Sequence, residues 1–113
     1  MILLHITHPE VIRSDWKVYT PESLAEEGFI HCSTVEQILD TANRFYHNDP
    51  NLLVLVIAPN RLTAEVRWEN LEGGRGLFPH IYGPLNREAV LKIVRLAPGA
   101  GGRFEQLPAG LAE

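Results

Sequence analysis

Three short apolar runs each carry a histidine with a hydroxyl residue two positions later. They are Leu4-His5-Ile6-Thr7, Phe29-Ile30-His31-Cys32-Ser33 and Phe78-Pro79-His80-Ile81-Tyr82. Runs of this length suit strands, in which residues i and i+2 project from one face. As strands they present His5 with Thr7, His31 with Ser33, and His80 with Tyr82. A chain of 113 residues fits one domain and has little room to scatter three such pairs. The simplest arrangement brings them together in one cleft.

The hydrophobic fraction of 45% is enough for a core without staples. Cys32 is the only cysteine, which excludes an intrachain disulfide and a cysteine-rich zinc site. The formal charge of −4 is spread along the chain and argues against non-specific nucleic-acid binding. A local basic cleft stays open, because Arg67, Arg75, Arg87, Lys92 and Arg95 all fall in the second half. The start, MILLHITHPE, lacks the basic region and long apolar stretch of a signal peptide. No apolar run approaches the roughly 20 residues of a membrane span. A cytoplasmic protein with no membrane partner is expected.

Residues 2–7 read as a first strand. Pro9 suits the first turn of a helix, to which Val11, Ile12 and Trp16 give an apolar side. Thr20-Pro21-Glu22 starts a second short helix that Gly28 ends, and residues 29–33 form a short strand. Ser33 with Glu36 three residues on reads as a capping box. Val35, Ile38, Leu39, Ala42, Phe45 and Tyr46 then repeat at helical spacing, until Asn48-Asp49-Pro50 stops the helix. The unbroken apolar run Leu52 to Ile57 predicts a central strand buried on both faces.

Residues 64–69 alternate as a half-exposed strand does, with Trp68 on the core side beside Ala64 and Val66. Gly73-Gly74-Arg75-Gly76 is a loop without the strand–helix setting of a phosphate-binding fingerprint. Residues 78–82 and 90–96 are further strands, separated by a turn over 86–89. The core spans about residues 2–96, and Pro, Gly and Ala from Ala97 onward suggest a loosely held tail over 97–113. Helices crowd the first half and strands the second, which predicts an α+β fold.

Histidine serves near neutral pH as acid, base, metal ligand or hydrogen-bond donor. A strand hydroxyl two residues on adds a polar group about 6–7 Å away, which suits a ribose or a phosphate. A lone strand histidine is more often a structural hydrogen-bonder, and His5 taken alone reads that way. His31 and His80 have less ordinary neighbours. Pro79 removes a ladder donor beside His80, and a helix starting at Ser33 would favour an anion beside His31. His8 and His47 read as surface residues, and Cys32, facing away from His31, as core. Glu69 falls with Glu65 and Arg67 on the polar face of its strand, where a solvated surface is the plain reading. Three histidines could also hold zinc with an open water position, although no HxH or HExxH spacing is present. No GxSxG elbow is present for a serine hydrolase.

Gly28-Phe29-Ile30-His31-Cys32-Ser33-Thr34 resembles the GFIHLST block of the bacterial domain-of-unknown-function family 952. Arg67-Trp68-Glu69 and the segment Gly76 to Leu85 resemble its second signature, with order and spacing agreeing over roughly residues 2–96. That family is more distantly similar to the ADP-ribosyltransferase fold, including the RNA 2′-phosphotransferases. The resemblance implies a split β-sandwich of two small sheets, and His5-Ile6-Thr7 matches the HxT-like block that contacts NAD there. Carried over, His5 and Thr7 hold the adenosine side of NAD, His31 and Ser33 line the nicotinamide side, and His80 and Tyr82 close the cleft. The catalytic glutamate of typical members has no assigned counterpart, and Glu69 is a candidate by location.

The expected function is therefore an ADP-ribosyltransferase-like enzyme acting on NAD, an ADP-ribose-like molecule or an RNA 2′-phosphate end. His31, His80 and Glu69 are its candidate catalytic residues. His5, Thr7, Ser33 and Tyr82 are its candidate binding residues, with no metal. A non-catalytic nucleotide-binding module and a three-histidine metal-dependent hydrolase are the alternatives.

Overall fold

Strand β1 (Leu3–Thr7) runs antiparallel to β4 (Leu52–Ile57), with Leu3 opposite Ile57 and Thr7 opposite Leu53. The other edge of β4 pairs antiparallel with β8 (Val90–Leu96), so the most apolar run lies in the middle of its sheet. Both of its faces are buried, as the unbroken run predicts. Leu55 and Ile57 join one core cluster with Leu3, Ile30 and Ile81, and Leu52, Val54 and Val56 join another with Leu4, Ile6 and Ile38. The computed structural model describes residues 1–13, 15–71, 73–74 and 76–111.

A second three-stranded antiparallel sheet has β3 (Ile30–His31), β6 (Phe78–Tyr82) and β5 (Glu65–Glu69) in that order. A backbone bridge joins the two sheets. Leu4 N–H donates to the Ser33 carbonyl at 2.8 Å, and Ser33 N–H donates back to Leu4 at 2.7 Å. A two-stranded ribbon, β2 (Val18–Tyr19) with β7 (Leu85–Asn86), completes the strands among the described residues. The helices are short: α1 (Glu22–Glu27) and α2 (Ile38–Phe45). This is a small α+β fold with few helices and several antiparallel sheets. No helix among the described residues is long and apolar enough to cross a membrane.

Several local expectations are corrected. The helix expected after Pro9 is only a 3-10 turn over Pro9–Val11. The chain then runs to β2, where the Lys17 carbonyl accepts from Arg87 N–H at 2.9 Å, so a tertiary pairing overrides the local pattern. The capping box lies one residue later than expected. Thr34 Oγ1 accepts from Gln37 N–H at 3.2 Å, and Gln37 Oε1 accepts from Thr34 N–H at 3.0 Å. Ser33 is taken up by the bridge to Leu4. Trp68, on the edge strand β5, is 39% exposed and not core.

The expected loose tail is packed where it is described. Phe104 and Leu111 are fully buried in the cluster around Ile38. Asn43 on α2 holds the Phe104 backbone from both sides, donating to its carbonyl at 2.9 Å and accepting from its N–H at 2.7 Å. The tail thus covers the back of α2, and that helix carries its other side toward the cleft described below.

Candidate functional site

His31 and His80 are direct cross-strand partners in the β3–β6 pairing, so their side chains share one face of the sheet. Their ring centroids are 5.4 Å apart. Phe29 stacks on the His80 ring at 4.2 Å and meets the His31 ring edge-on at 4.8 Å. Next door on β5, Arg67 lies opposite His80 and Glu69 opposite Phe78, so Glu69 is the diagonal neighbour of His80. Diagonal neighbours on one face are within reach of long side chains. His80 Nδ1–H accordingly donates to Glu69 Oε1 at 2.9 Å, and the Tyr82 hydroxyl donates to the same oxygen at 2.6 Å.

This pairing has two chemical consequences. The bonds from Tyr82 and His80 hold the Glu69 carboxyl below its usual pKa, so it stays ionised at neutral pH. Because Nδ1–H donates to the carboxylate, the tautomer of His80 that this bond selects carries its lone pair on Nε2, the arrangement a general base needs. Both donors converge on Oε1, and Oε2 has no partner among the described residues.

His31 is oriented by another carboxylate. Gly28 takes φ 89°, in the left-handed region that closes a helix without strain on a Cβ. The chain turns sharply there, and His31 Nε2–H donates to Glu27 Oε2 at 2.8 Å. This contact is open, with side chains 41% and 48% exposed.

His5 is built differently. Its Nδ1 lies 2.6 Å from the His31 carbonyl and its Nε2 lies 2.8 Å from the Tyr19 hydroxyl. A carbonyl only accepts, so Nδ1 carries the proton and Nε2 accepts from Tyr19. The Tyr19 hydroxyl is also hydrogen-bonded to Thr7 Oγ1 at 3.1 Å. Burial lowers the His5 pKa to about 4, so the ring is neutral and wholly engaged. Ser33 is likewise buried, with its hydroxyl 3.1 Å from that of Thr41 on α2.

These groups line one cleft of about 770 Å³ between β1, the second sheet and α2. His5, Thr7, His31, Ser33, Glu69 and His80 all contribute to its wall. Tyr82 does not. It stands behind Glu69 under the Arg67 guanidinium, 4.2 Å from its ring centre, and so it does not close the cleft as expected. Among the described residues the expected basic side chains Arg67, Arg87, Lys92 and Arg95 are not in the lining, and Arg75 lies outside those residues. Arg44, which the sequence did not single out, is.

Sequence reasoning also missed Tyr19, Phe29 as the stacking partner, and every histidine–carboxylate pair. His8, expected at the surface, lines the cleft and donates from Nε2 to Asp49 Oδ2 at 2.6 Å. A signal existed for two of these pairs. Glu27 and His31 are four apart across a glycine, and Glu69 shares its strand face with Arg67, opposite His80. Among the described residues no group of three or more His, Cys, Asp or Glu is placed to hold a metal ion. The engaged nitrogens of His5 also remove it from a three-histidine set. Cys32 is core as expected, its thiol pushed up by burial.

The pattern of the family described as "Protein of unknown function (DUF952)" matches residues 7–93. The chain belongs to this family. The DUF952 match takes in Thr7, His31, Ser33, Glu69, His80 and Tyr82, and it begins two residues after His5. No curated protein matches the chain. Solved structures that do are those of protein CC0527 from Caulobacter crescentus. Its crystal structure is 26% identical with a TM-score of 0.80, over 93% of this chain and 94% of that one. Its solution NMR structure is 26% identical with a TM-score of 0.76, over 92% and 91%. A crystal structure of its double methionine mutant is 27% identical with a TM-score of 0.78.

Proposed function

We propose that this DUF952 protein is an ADP-ribosyltransferase-like enzyme whose cleft takes NAD or an ADP-ribose-like molecule as substrate. The observation that carries the reading is the His80–Glu69 pair. It joins an ionised carboxylate with an uncommitted oxygen to a histidine whose basic nitrogen is Nε2, beside a second histidine. The free Oε2 suits a ribose hydroxyl, and the negative charge of Glu69 opposes positive charge developing on the sugar. In the transfer, the bond between ribose C1′ and the nicotinamide nitrogen breaks and the nitrogen keeps the electron pair. A bond forms from C1′ to the acceptor oxygen, whose proton goes to His80 Nε2. Phe29 and the paired strands fix both imidazoles before substrate arrives, which is where orientation contributes most.

A second reading is a nucleotide-binding module without turnover. It is favoured by the internal bonds of the Thr7 and Ser33 hydroxyls, which tie the groups that the resemblance set against NAD to Tyr19 and Thr41 instead. One experiment separates the two. The protein is titrated with ADP-ribose while imidazole and Phe29 signals are followed by NMR, and it is incubated with NAD while nicotinamide release is measured. Shifts with release support the transferase; shifts without release, across a panel of hydroxyl acceptors including RNA 2′-phosphate ends, support the module. If neither NAD, ADP-ribose nor the RNA ends move those signals, both readings fall.

A further inference from the structure

The helical period placed Phe45 in the buried stripe of α2 with Ile38 and Ala42. Those two are fully buried, but Phe45 is 57% exposed on the last turn, where it lines the cleft. It has apolar company there. Val11, 53% exposed, and Leu71, 58% exposed, line the same cleft. Exposed apolar side chains scattered singly need no explanation, but here three of them line a single cleft. The Arg44 guanidinium lies over the Phe45 ring, its carbon 5.3 Å from the ring centre. Arg44 is the only Lys or Arg among the described residues that line the cleft.

We propose that Phe45 and Arg44 form a subsite for one nucleotide, the base stacking on Phe45 and the phosphate pairing with Arg44. An exposed aromatic ring with a guanidinium over one face can offer its other face to a nucleobase in a sequence-tolerant way, and the same guanidinium is the charge that a phosphate requires. The side chains to which resemblance assigned the adenosine side do not compete for this role. His5 has both ring nitrogens engaged, and Thr7 is committed to Tyr19. The base is therefore held from α2, while the ribose to be transferred lies at His80 and Glu69 on the second sheet. This assignment rests on the nucleotide reading of the cleft and adds to it which wall takes which end of the ligand.

The test compares probes with and without a base. Binding of AMP, ADP-ribose and ribose 5-phosphate is measured by calorimetry and NMR for the wild type, Phe45→Ala, Phe45→Trp and Arg44→Gln. Phe45 is exposed, so its variants should keep the wild-type spectrum elsewhere. Phe45→Ala should weaken AMP and ADP-ribose about tenfold or more and leave ribose 5-phosphate unchanged, and Phe45→Trp should restore binding. Arg44→Gln should weaken all three probes. If AMP and ADP-ribose bind the wild type but Phe45→Ala weakens neither, or weakens the base-free probe equally, the subsite is wrong and the nucleotide reading stands. If none of the three binds the wild type, the subsite is wrong, and if NAD and RNA 2′-phosphate ends fail to bind as well, the nucleotide reading falls with it.

Discussion

His5 and His80 are almost equally inaccessible, at 7% and 3% exposure, yet they belong to different kinds of site. At His5 the protein takes both ring nitrogens, one for the His31 carbonyl and one for Tyr19. At His80 it takes one, through Glu69, and lines a cleft with the ring. Burial alone therefore does not separate a histidine whose two nitrogens the fold engages from one with a nitrogen to spare among the described residues. What separates them is how many of the two nitrogens the fold consumes. His5 joins the sheets by tying β1 to the backbone of β3, and His80 uses the position so fixed.

The sharpest way to break this comparison is to remove one nitrogen from each ring. Asparagine at position 80 keeps a donor near the place of Nδ1 and deletes Nε2. His80→Asn should lower nicotinamide release by about 10²–10⁴-fold, the usual worth of a positioned acid–base group, with little change in the melting curve. A variant that unfolds, or one that keeps the wild-type rate, would place His80 in the same class as His5.

His5→Ala should act the opposite way. It removes the bond to the His31 carbonyl and one of the two bonds of the Tyr19 hydroxyl, which keeps Thr7, and each buried bond lost without replacement costs about 1–3 kcal/mol. The combined loss in urea denaturation is expected to be about 2–5 kcal/mol. Tyr19→Phe, which orphans only Nε2 and the Thr7 hydroxyl at the margin of the network, should cost less. A silent His5→Ala would mean that the network seen around it carries no stability.

Much of this architecture is legible in the chain because it is local or periodic. The both-sided burial of Leu52 to Ile57, the end of α1 at Gly28, the core place of Cys32 and the strand runs around the three histidines all follow from neighbouring residues. What was misread depends on long-range partners. Phe104 and Leu111 look like tail residues until Asn43 and Ile38 are brought to them. Two-residue strands such as β2 have no period to detect. Phe45 fits the stripe of its helix, and only the position of the cleft shows that the last turn has passed the edge of the core. Within the site, the pairings that orient the histidines join residues 4 to 41 positions apart, and only the nearest, Glu27 with His31, lies within one local motif.

The buried imidazole also gives stability a pH dependence with a definite sign. The unfolded chain takes up a proton on His5 near its ordinary value of 6.5, whereas the folded chain resists until about 4. The unfolded state thus binds more protons in that interval, and stability falls as pH falls from 6.5 toward 4. The contribution lost amounts to about 3 kcal/mol at 1.36 kcal/mol per pH unit. Carboxylates titrate nearby, so the clean measurement is the difference between the wild type and His5→Gln, followed by urea denaturation from pH 7 to 4. The variant lacks the group, and its disadvantage should shrink steadily below pH 6.5. A gap that stays constant over that range would mean that His5 takes up its proton equally in both states.

The smallest effect is expected at the histidine–carboxylate contact most open to water. Glu27 and His31 are 2.8 Å apart, about as close as Glu69 and His80, but both side chains are two-fifths exposed or more. Water and salt screen such a pair, and exposed pairs contribute about 0–1 kcal/mol. Glutamine at position 27 keeps an acceptor for His31 Nε2–H and removes only the charge. Glu27→Gln should therefore move the unfolding free energy by less than about 0.5 kcal/mol, and what little it moves should vanish in high salt. Glu69→Gln makes the same chemical change at a carboxylate that takes two donors on one oxygen, beside a ring almost wholly enclosed. It should reduce transfer strongly, because the displaced charge is the one set against the reacting sugar. If both variants proved equally silent in turnover and stability, the ionised carboxylate at Glu69 would have no more bearing on the chemistry than the one at Glu27.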